Sequence, residues 1–164
     1  MVAISCPGYE IPKWFRHQSE GSSIKIELSR DWFSTDFLGF SLSLVGAYAI
    51  DVGEMKMVSG CKYNFKTSNG ESHEVNHPLC NLCKYNNGDS YEVFVWWYNN
   101  VFEEVVEGAP SPTAFYNRFT KVNVDFYYRS YNPIPAKMEK CGICLLYGKD
   151  AEMIKQRALY AQDA

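Results

Sequence analysis

The side chains of this sequence that are best suited to chemistry are six soft metal ligands. They form two C-x-x-C pairs and one pair of histidines: Cys80 with Cys83, Cys141 with Cys144, and His73 with His77. Structural zinc binds four such ligands in a tetrahedron, and paired C-x-x-C turns commonly supply them. The alternative is that they are reduced thiols, which are among the most frequently buried side chains in proteins.

The local pattern separates the two cysteine pairs. Cys141 and Cys144 lie three residues apart in a strand pattern, so we expect them on opposite sides of a sheet, where they cannot bind one ion. We interpret them as buried or structural thiols. Cys80 and Cys83 lie in a polar stretch and are interpreted as loop thiols, with a zinc site within residues 71–83 as the open alternative. We therefore assign no metal and no cofactor to the chain.

Patterns for catalysis are weaker still. The only candidate imidazole bases are His17, His73 and His77, and no serine lies in the G-x-S-x-G context of a nucleophile elbow. We interpret His17 as a structural hydrogen-bonding residue and the acidic residues within 103–107 as a solvated turn. There is no glycine-rich loop that would bind phosphate. The sequence therefore predicts a protein that is not an enzyme.

Composition and charge limit the class of partner. The 164 residues include 16 basic and 19 acidic side chains, a formal net charge of -3, and no long basic run, which argues against nucleic acid as the primary partner. No apolar run approaches the roughly 18–20 residues of a membrane span, and the first residues lack the features of a signal peptide. We expect a soluble intracellular chain whose six cysteines are reduced.

The elements that would position these side chains are mainly strands. Period-two alternation or enrichment in β-branched and aromatic residues predicts strands at 23–28, 37–50, 56–67, 91–98, 119–129 and 138–147. Within them we expect close backbone approach at Gly39, a bend or bulge at Gly46, and a break in register at Ser59 and Gly60. Residues 71–90 are interpreted as a variable loop with room for a short strand, and residues 68–70 as a turn.

The fold class follows from this series of strands. About seven to nine strands separated by turn signals, with one credible helix near the C-terminus, predict an all-β antiparallel β-sandwich. We assign residues 1–150 to this sandwich and residues 151–164 to a tail that is a short helix or is disordered.

The stretch at residues 6–28 allows little variation in backbone conformation. Pro7 and Gly8 favour a turn, Pro12 pushes Ile11 toward extended geometry, and helix is therefore not expected here. We interpret the stretch as an extended arm whose aromatic residues, at 14 and 15, cover an edge of the sandwich. The arm leads into the first half-buried strand.

Residues 7–28 of this stretch, with the sequence PGYEIPKWFRHQSEGSSIKIEL, resemble the opening signature of the domain that follows the leucine-rich repeats in plant TIR-type NLR immune receptors. That domain is called the post-LRR or C-terminal jelly-roll/Ig-like domain, C-JID. The resemblance continues in the family's order through residues 32, 37–42, 61–65, 91–98, 122–124 and 140–147, and it implies a jelly-roll or Ig-like sandwich. Its signature positions are Pro7, Gly8, Glu10, Ile11, Pro12, Trp14, Phe15, His17 and Gly21.

The resemblance also implies a function. It indicates a non-catalytic, ligand-sensing domain that helps the leucine-rich repeats to bind a pathogen effector directly, so that the receptor oligomerises and its TIR domain becomes active. Any NAD-cleaving activity would belong to that TIR domain. The expected partners are the effector and the repeats of the same receptor, without a membrane, and the expected location is the cytoplasm or the nucleus. The signature arm is expected to serve the fold or the junction with the repeats.

The residues that would contact a partner are aromatic and asparagine side chains in loops, because loops on rigid scaffolds often carry function and large aromatics anchor interfaces. The candidates are Trp97, Tyr98, Asn99, Asn100, Phe115, Tyr116 and Tyr131. For each one, the alternative is ordinary packing in the core or in a turn.

Two other functions fit a sandwich with surface aromatics. One is a carbohydrate-binding module, which jelly-roll architecture suits. The other is a purely structural cap on the leucine-rich-repeat solenoid.

Overall fold

In the computed structural model of the chain, the described residues form nine strands in two antiparallel sheets that pack face to face. The structure describes residues 2–47, 58–79, 91–98, 111–129, 137–150, 152 and 156, and all statements below refer to these. One sheet has five strands and the other has four. The all-β antiparallel sandwich predicted from the sequence is confirmed.

Six of the nine strands follow the predicted segments closely, and three further strands and one helix are additions. The strands are β1 (Val2–Pro7), β2 (His17–Glu20), β3 (Ser23–Glu27), β4 (Phe37–Ala47), β5 (Val58–Thr67), β6 (Ser72–Leu79), β7 (Glu92–Trp97), β8 (Phe119–Arg129) and β9 (Lys137–Tyr147); a short helix, α1 (Pro112–Tyr116), precedes β8. The five-stranded sheet has the order β1-β7-β4-β9-β2, and the four-stranded sheet has the order β3-β8-β5-β6. Residues 148–150, 152 and 156 are helical, and the rest of the predicted tail, 151–164, lies outside the described residues. The domain boundary at residue 150 stays a prediction.

An aromatic cluster fills one end of the space between the sheets. At its centre is Trp32, which is 1% exposed and lies in the loop between β3 and β4. Its ring centroid lies between 5.3 and 6.2 Å from five others, those of Phe33, Phe37, Phe40, Phe65 and Tyr116. The hydroxyl of Tyr147 donates a 2.8 Å hydrogen bond to the Trp32 carbonyl, which connects the loop to β9. Because the rings come from both sheets and from α1, this cluster joins the two layers.

The arm at residues 8–16 crosses the outer face of the five-stranded sheet. It connects β1 and β2, which lie at opposite edges of that sheet, so it must pass over β7, β4 and β9. Four interstrand spacings of about 4.8 Å make roughly 19 Å, which is within the reach of this length of extended chain. Phe15 and Ile11 are buried there against Val45, Val93 and Val95. The prediction of a helix-free entry is confirmed.

The expectation that the arm covers an edge of the sandwich is wrong, because its apolar residues pack on a sheet face. Gly142 of β9 provides the space for this packing. A Cβ atom at Gly142 would lie 3.3 Å from Ile11 Cγ2 and 3.4 Å from Phe15 Cδ1. Glycine at this position therefore lets the arm approach the backbone of a central strand.

Both glycine predictions for β4 are confirmed. Gly39 has φ +135°, and a Cβ atom there would lie 2.8 Å from the carbonyl oxygen of Tyr98. The register of β4 against β9 shifts between Phe37 and Gly39 and again between Val45 and Gly46. These irregularities bend the central strand of the five-stranded sheet.

The predicted break in register at Ser59 and Gly60 is wrong. Both residues pair without interruption with β6 and with β8. Gly60 lies opposite Tyr127, and a Cβ atom at Gly60 would collide with the Tyr127 hydroxyl. This glycine therefore makes room for a ring on the neighbouring strand.

Four elements differ from the predicted organisation. β1 begins before the predicted arm and β2 lies within it, where no separate strand was expected. Residues 72–79 form a full edge strand, β6, where the sequence indicated a loop with room for a short strand. Helix α1 lies in a stretch interpreted as irregular; Ser111 caps it, accepting a 3.1 Å hydrogen bond from the Ala114 amide, and Pro112 occupies its first turn. A capping serine followed by proline is a helix-start signal, but one turn of helix has too few residues to show a period.

We expect the Gly39→Ala variant to lose about 2–4 kcal/mol of free energy of unfolding, because it combines strain at positive φ with a clash against backbone. Gly70→Ala is the matched control, since Gly70 has φ +93° but no heavy atom within 4 Å of the position that a Cβ atom would take. Urea unfolding of the two variants measures the difference. An equal loss in both would show that the close approach to Tyr98 is not important.

We expect Phe15→Ala to lower the free energy of unfolding by about 3–5 kcal/mol, the usual range for removing a buried phenylalanine. Phe15 is 1% exposed where the arm packs on the sheet. Lys13→Ala, at an exposed position of the same arm, should change stability by less than about 0.5 kcal/mol. The unfolding midpoint in urea measures both. A small effect at Phe15 would mean that the arm detaches from the sheet without cost.

Candidate functional site

The edge strand β6 carries a row of half-buried side chains along one border of the sandwich. His73, Val75 and His77 point toward the space between the sheets and are half-buried, and the alternate residues are exposed. Aromatic side chains from two other parts of the chain lie against this row. We call the surface formed by Tyr98, His77, Val75, His73 and Phe115 the β6 rim.

At one end of the β6 rim, His77 contacts Tyr98. Their ring centroids lie 4.5 Å apart with the planes at 77°. Tyr98 directly follows β7 of the five-stranded sheet, so this contact joins the two layers. Tyr98 is half-buried and packs against the core.

At the other end of the β6 rim, His73 contacts Phe115 of α1. The centroids lie 4.9 Å apart with the planes at 87°. The guanidinium of Arg118 lies 5.5 Å from the Phe115 ring centroid, within cation–π range, and 2.7 Å from a carboxylate oxygen of Glu71. Glu71 comes just before β6, so the ion pair fixes α1 beside the start of this strand.

The structure thus places two predicted contact regions on one surface. Tyr98 directly follows β7 and Phe115 belongs to α1, and β6 connects them because His73 and His77 lie four residues apart on the same face. At about 3.3 Å per residue, this is roughly 13 Å. The sequence interpretation missed β6 and therefore had no means of bringing the two regions together.

Burial affects the charge of the β6 rim. It lowers the pKa of His73 and the pKa of His77 below the ordinary value of 6.5. Both imidazoles are therefore mainly neutral at pH 7, which suits their contacts with aromatic rings. The rim at this pH is an amphipathic surface of neutral rings with the Arg118–Glu71 ion pair at one end.

The other candidate contact residues lie elsewhere. Trp97 is 9% exposed and lies on the outer side of β7, because neighbouring residues of a strand point in opposite directions and Trp96 occupies the core. Tyr116 is 3% exposed and belongs to the cluster around Trp32. Asn99, Asn100 and Tyr131 lie outside the described residues. The contact of these residues with a partner stays a prediction.

Most residues of the signature have structural positions. Ile11 and Phe15 are buried, Trp14 stacks on Phe15 at 4.0 Å, and Pro7 ends β1. The turns use Gly8, Pro12 and Gly21, with positive φ at both glycines, and the Glu10 carboxylate lies 3.4 Å from the Lys140 amine. His17 pairs through its backbone with Ile143 while its imidazole is exposed, so its structural role rests on the main chain.

The cysteines of β9 face opposite sides of the sheet, as predicted. Cys141 is buried between the sheets, whereas Cys144 packs with the cluster beneath the arm. Burial raises the pKa of Cys141 to about 12 and that of Cys144 to about 11, so both thiols stay protonated at neutral pH. Cys80 and Cys83 lie outside the described residues. Among the residues that are described, no three His, Cys, Asp or Glu side chains converge as a metal site.

Within the described part of the chain, no helix has the length and hydropathy of a membrane span.

Comparison with known proteins relates the chain to plant resistance proteins. The family model of the C-JID domain matches residues 6–152. The chain is 28% identical to the disease resistance protein RPP2B over 99% of its length, 28% identical to the disease resistance-like protein DSC1 over 90%, and 24% identical to the disease resistance protein RPS4 over 89%, all from Arabidopsis thaliana. It spans only 15%, 13% and 12% of the lengths of these three relatives. From its fold, its signature arm and this match, the chain belongs to the C-JID family, the post-LRR domain of plant TIR-NB-LRR disease-resistance proteins.

Proposed function

We propose that this chain is a non-catalytic ligand-sensing domain of an intracellular plant immune receptor. In this proposal it contacts a pathogen effector protein through the β6 rim, together with the leucine-rich repeats of the same receptor, and thereby contributes to receptor activation. The observation that carries the proposal is the convergence of Tyr98 and Phe115 on one edge strand. Its wider basis is membership of a family found in disease-resistance proteins.

The side chains of the β6 rim are suited to binding a protein surface. Tyrosine, tryptophan and arginine are enriched among residues that dominate binding energy, and the rim presents Tyr98 and Phe115, with Arg118 beside the Phe115 ring. Contacts with His73 and His77 already restrict the two rings. Rings that are fixed before binding lose less conformational entropy when a partner covers them.

The signature arm has a different role in this proposal. Its apolar side chains are used in covering the five-stranded sheet, which leaves mainly polar groups and Tyr9, 40% exposed, on its outer side. We assign the arm to the fold and to the junction with the repeats. Recognition of the effector is assigned to the β6 rim.

We expect Tyr98→Ala and Phe115→Ala each to weaken effector binding at least tenfold, which corresponds to about 1.4 kcal/mol, because each removes a prearranged ring from the β6 rim. The measurement is titration of the cognate effector, found by screening candidates, against the chain joined to its repeats. Tyr9→Ala is the control, since it removes an exposed ring from the arm.

Urea unfolding of each variant tests whether the fold is retained. Effector binding that is unchanged in both rim variants, and that survives deletion of the whole domain, would contradict the proposal and leave the chain as a cap on the repeats. Loss of binding in the Tyr9 variant alone would instead assign recognition to the arm.

The lowered pKa values of His73 and His77 also predict how stability depends on pH. Between the folded and unfolded pKa values the unfolded chain binds more protons, so the free energy of unfolding falls as pH decreases below about 6.5 and levels off below the folded values. Urea unfolding at pH 7.5 and pH 5.0 measures this decline. The double variant H73Q/H77Q should show a smaller decline, and an equal decline would assign the effect to other groups.

A further inference from the structure

We infer that the outer edge of β6 accepts an extended segment of a partner protein as a fifth strand of the four-stranded sheet. The inference rests on the proposed function, because it assigns a binding mode to the β6 rim. It differs from that proposal in what recognises the partner. The recognising groups here are backbone amides and carbonyls of β6, and the rim rings supply additional contacts.

The hydrogen-bond register identifies the backbone groups that point outward. The Thr67 amide donates a 2.9 Å hydrogen bond to the Glu71 carbonyl, which makes this the closing bonded pair of the β5–β6 hairpin. Bonded and non-bonded pairs alternate in antiparallel sheets, so the odd-numbered residues of β6 bond to β5. The backbone groups of Ser72, Glu74 and Asn76 therefore point away from β5, at the edge of the sheet.

The position of the proline in β6 agrees with this alternation of bonded and non-bonded pairs. Pro78 pairs opposite Gly60, at a non-bonded position, so its missing amide hydrogen takes nothing from the ladder with β5. At the outer edge, Ser72, Glu74 and Asn76 each present a backbone amide donor and a carbonyl acceptor, and Pro78 presents a carbonyl acceptor. All four residues, Ser72, Glu74, Asn76 and Pro78, are exposed.

The unequal sheets leave a position for one more strand. At one side of the sandwich, β2 and β3 are joined by a short turn and lie across from each other. Ring contacts place β4 across from β5, and they place Tyr98, the residue after β7, across from β6. When the strands of the two sheets are matched in this order, β1 at the far edge of the larger sheet has no facing strand among the described residues. Its inward residues Ala3 and Ser5 are only half-buried, whereas Ile4 on the outer side is buried.

The side chains around the place of an added strand determine which kind of peptide segment would fit there. Inward side chains of an added strand would face Val75 and Ala3 and lie between Tyr98 and Phe115, which favours small or medium apolar residues. Its outward side chains would lie beside Glu74, whose carboxylate is exposed and shared with Lys62 at 3.7 Å. A segment that alternates valine or isoleucine with threonine or lysine meets both requirements.

Amide hydrogen exchange of the free chain is the first test. The amides of Ser72, Glu74 and Asn76 should exchange at least tenfold faster than those of His73, Val75 and His77, which donate to β5. The measurement is repeated at two concentrations of the chain. Protection of the outward amides at both concentrations means that the edge is already covered, and protection only at the higher one means that a second copy of the chain pairs there. Either result overturns the inference.

The second test uses a displayed library of ten-residue peptides with the alternating pattern described above, selected on the whole chain. A selected peptide should protect the amides of Ser72, Glu74 and Asn76, and it should bind the E74P variant at least tenfold more weakly. E74A is the matched control, since it removes the same side chain and keeps the amide donor. E74P should bind the peptide at least tenfold more weakly than E74A, because the two variants lack the same carboxylate and differ in the backbone amide donor.

Failure to select any peptide, or equal binding to E74P and E74A, overturns strand addition. Should E74P not fold, as judged by urea unfolding, protection of the three outward amides by the peptide decides the question alone. The result is separable from the proposed function, because Tyr98→Ala and Phe115→Ala test effector contact through side chains. Weaker effector binding in those two variants, with full binding in E74P, would retain the proposed function and exclude this binding mode.

Discussion

The five-stranded sheet is buried on both faces, and the rest of the structure depends on covering both. Its inner face presents Leu42, Leu44 and Trp96 to the other sheet, and its outer face presents Val45 and Val95. A sheet with one face in water alternates apolar with polar residues, whereas one buried on both faces has continuous apolar runs. This is why β7 reads VFVWW and why a segment outside the strands has to cover the second face.

The need to cover the outer face explains the arm. Because β1 and β2 lie at opposite edges of the same sheet, the connection between them runs across the face that needs burial. Its turns direct Ile11 and Phe15 inward, and Gly142 provides the space beneath them. The most recognisable stretch of the sequence is therefore used in building the sandwich, which leaves other surfaces for recognition.

Between the two sheets, the aromatic cluster around Trp32 holds connecting segments in defined positions. It holds the loop before β4, the end of β9 and helix α1 against one core, and Tyr116 of that helix is part of it. With Tyr116 buried, its neighbour Phe115 points toward His73 at the border of the sandwich. A residue in a connecting segment thus has a defined position, which is a requirement for a preorganised contact surface.

The sequence by itself determined the fold class, most strands, the two irregular glycines of β4, the opposite orientation of Cys141 and Cys144, and the family. These follow from local pattern, because the period of two and the backbone preferences of glycine and proline act within a few residues. Tertiary structure alone decided which face the arm covers, that residues 72–79 form a strand, and that Tyr98 and Phe115 share one surface. An edge strand such as β6 is stabilised by backbone hydrogen bonds to its neighbour and buries few apolar side chains of its own. Its sequence therefore lacks the apolar pattern from which a strand is predicted. The candidate contact surface depends on that strand, and for this reason it could not be assembled from the sequence.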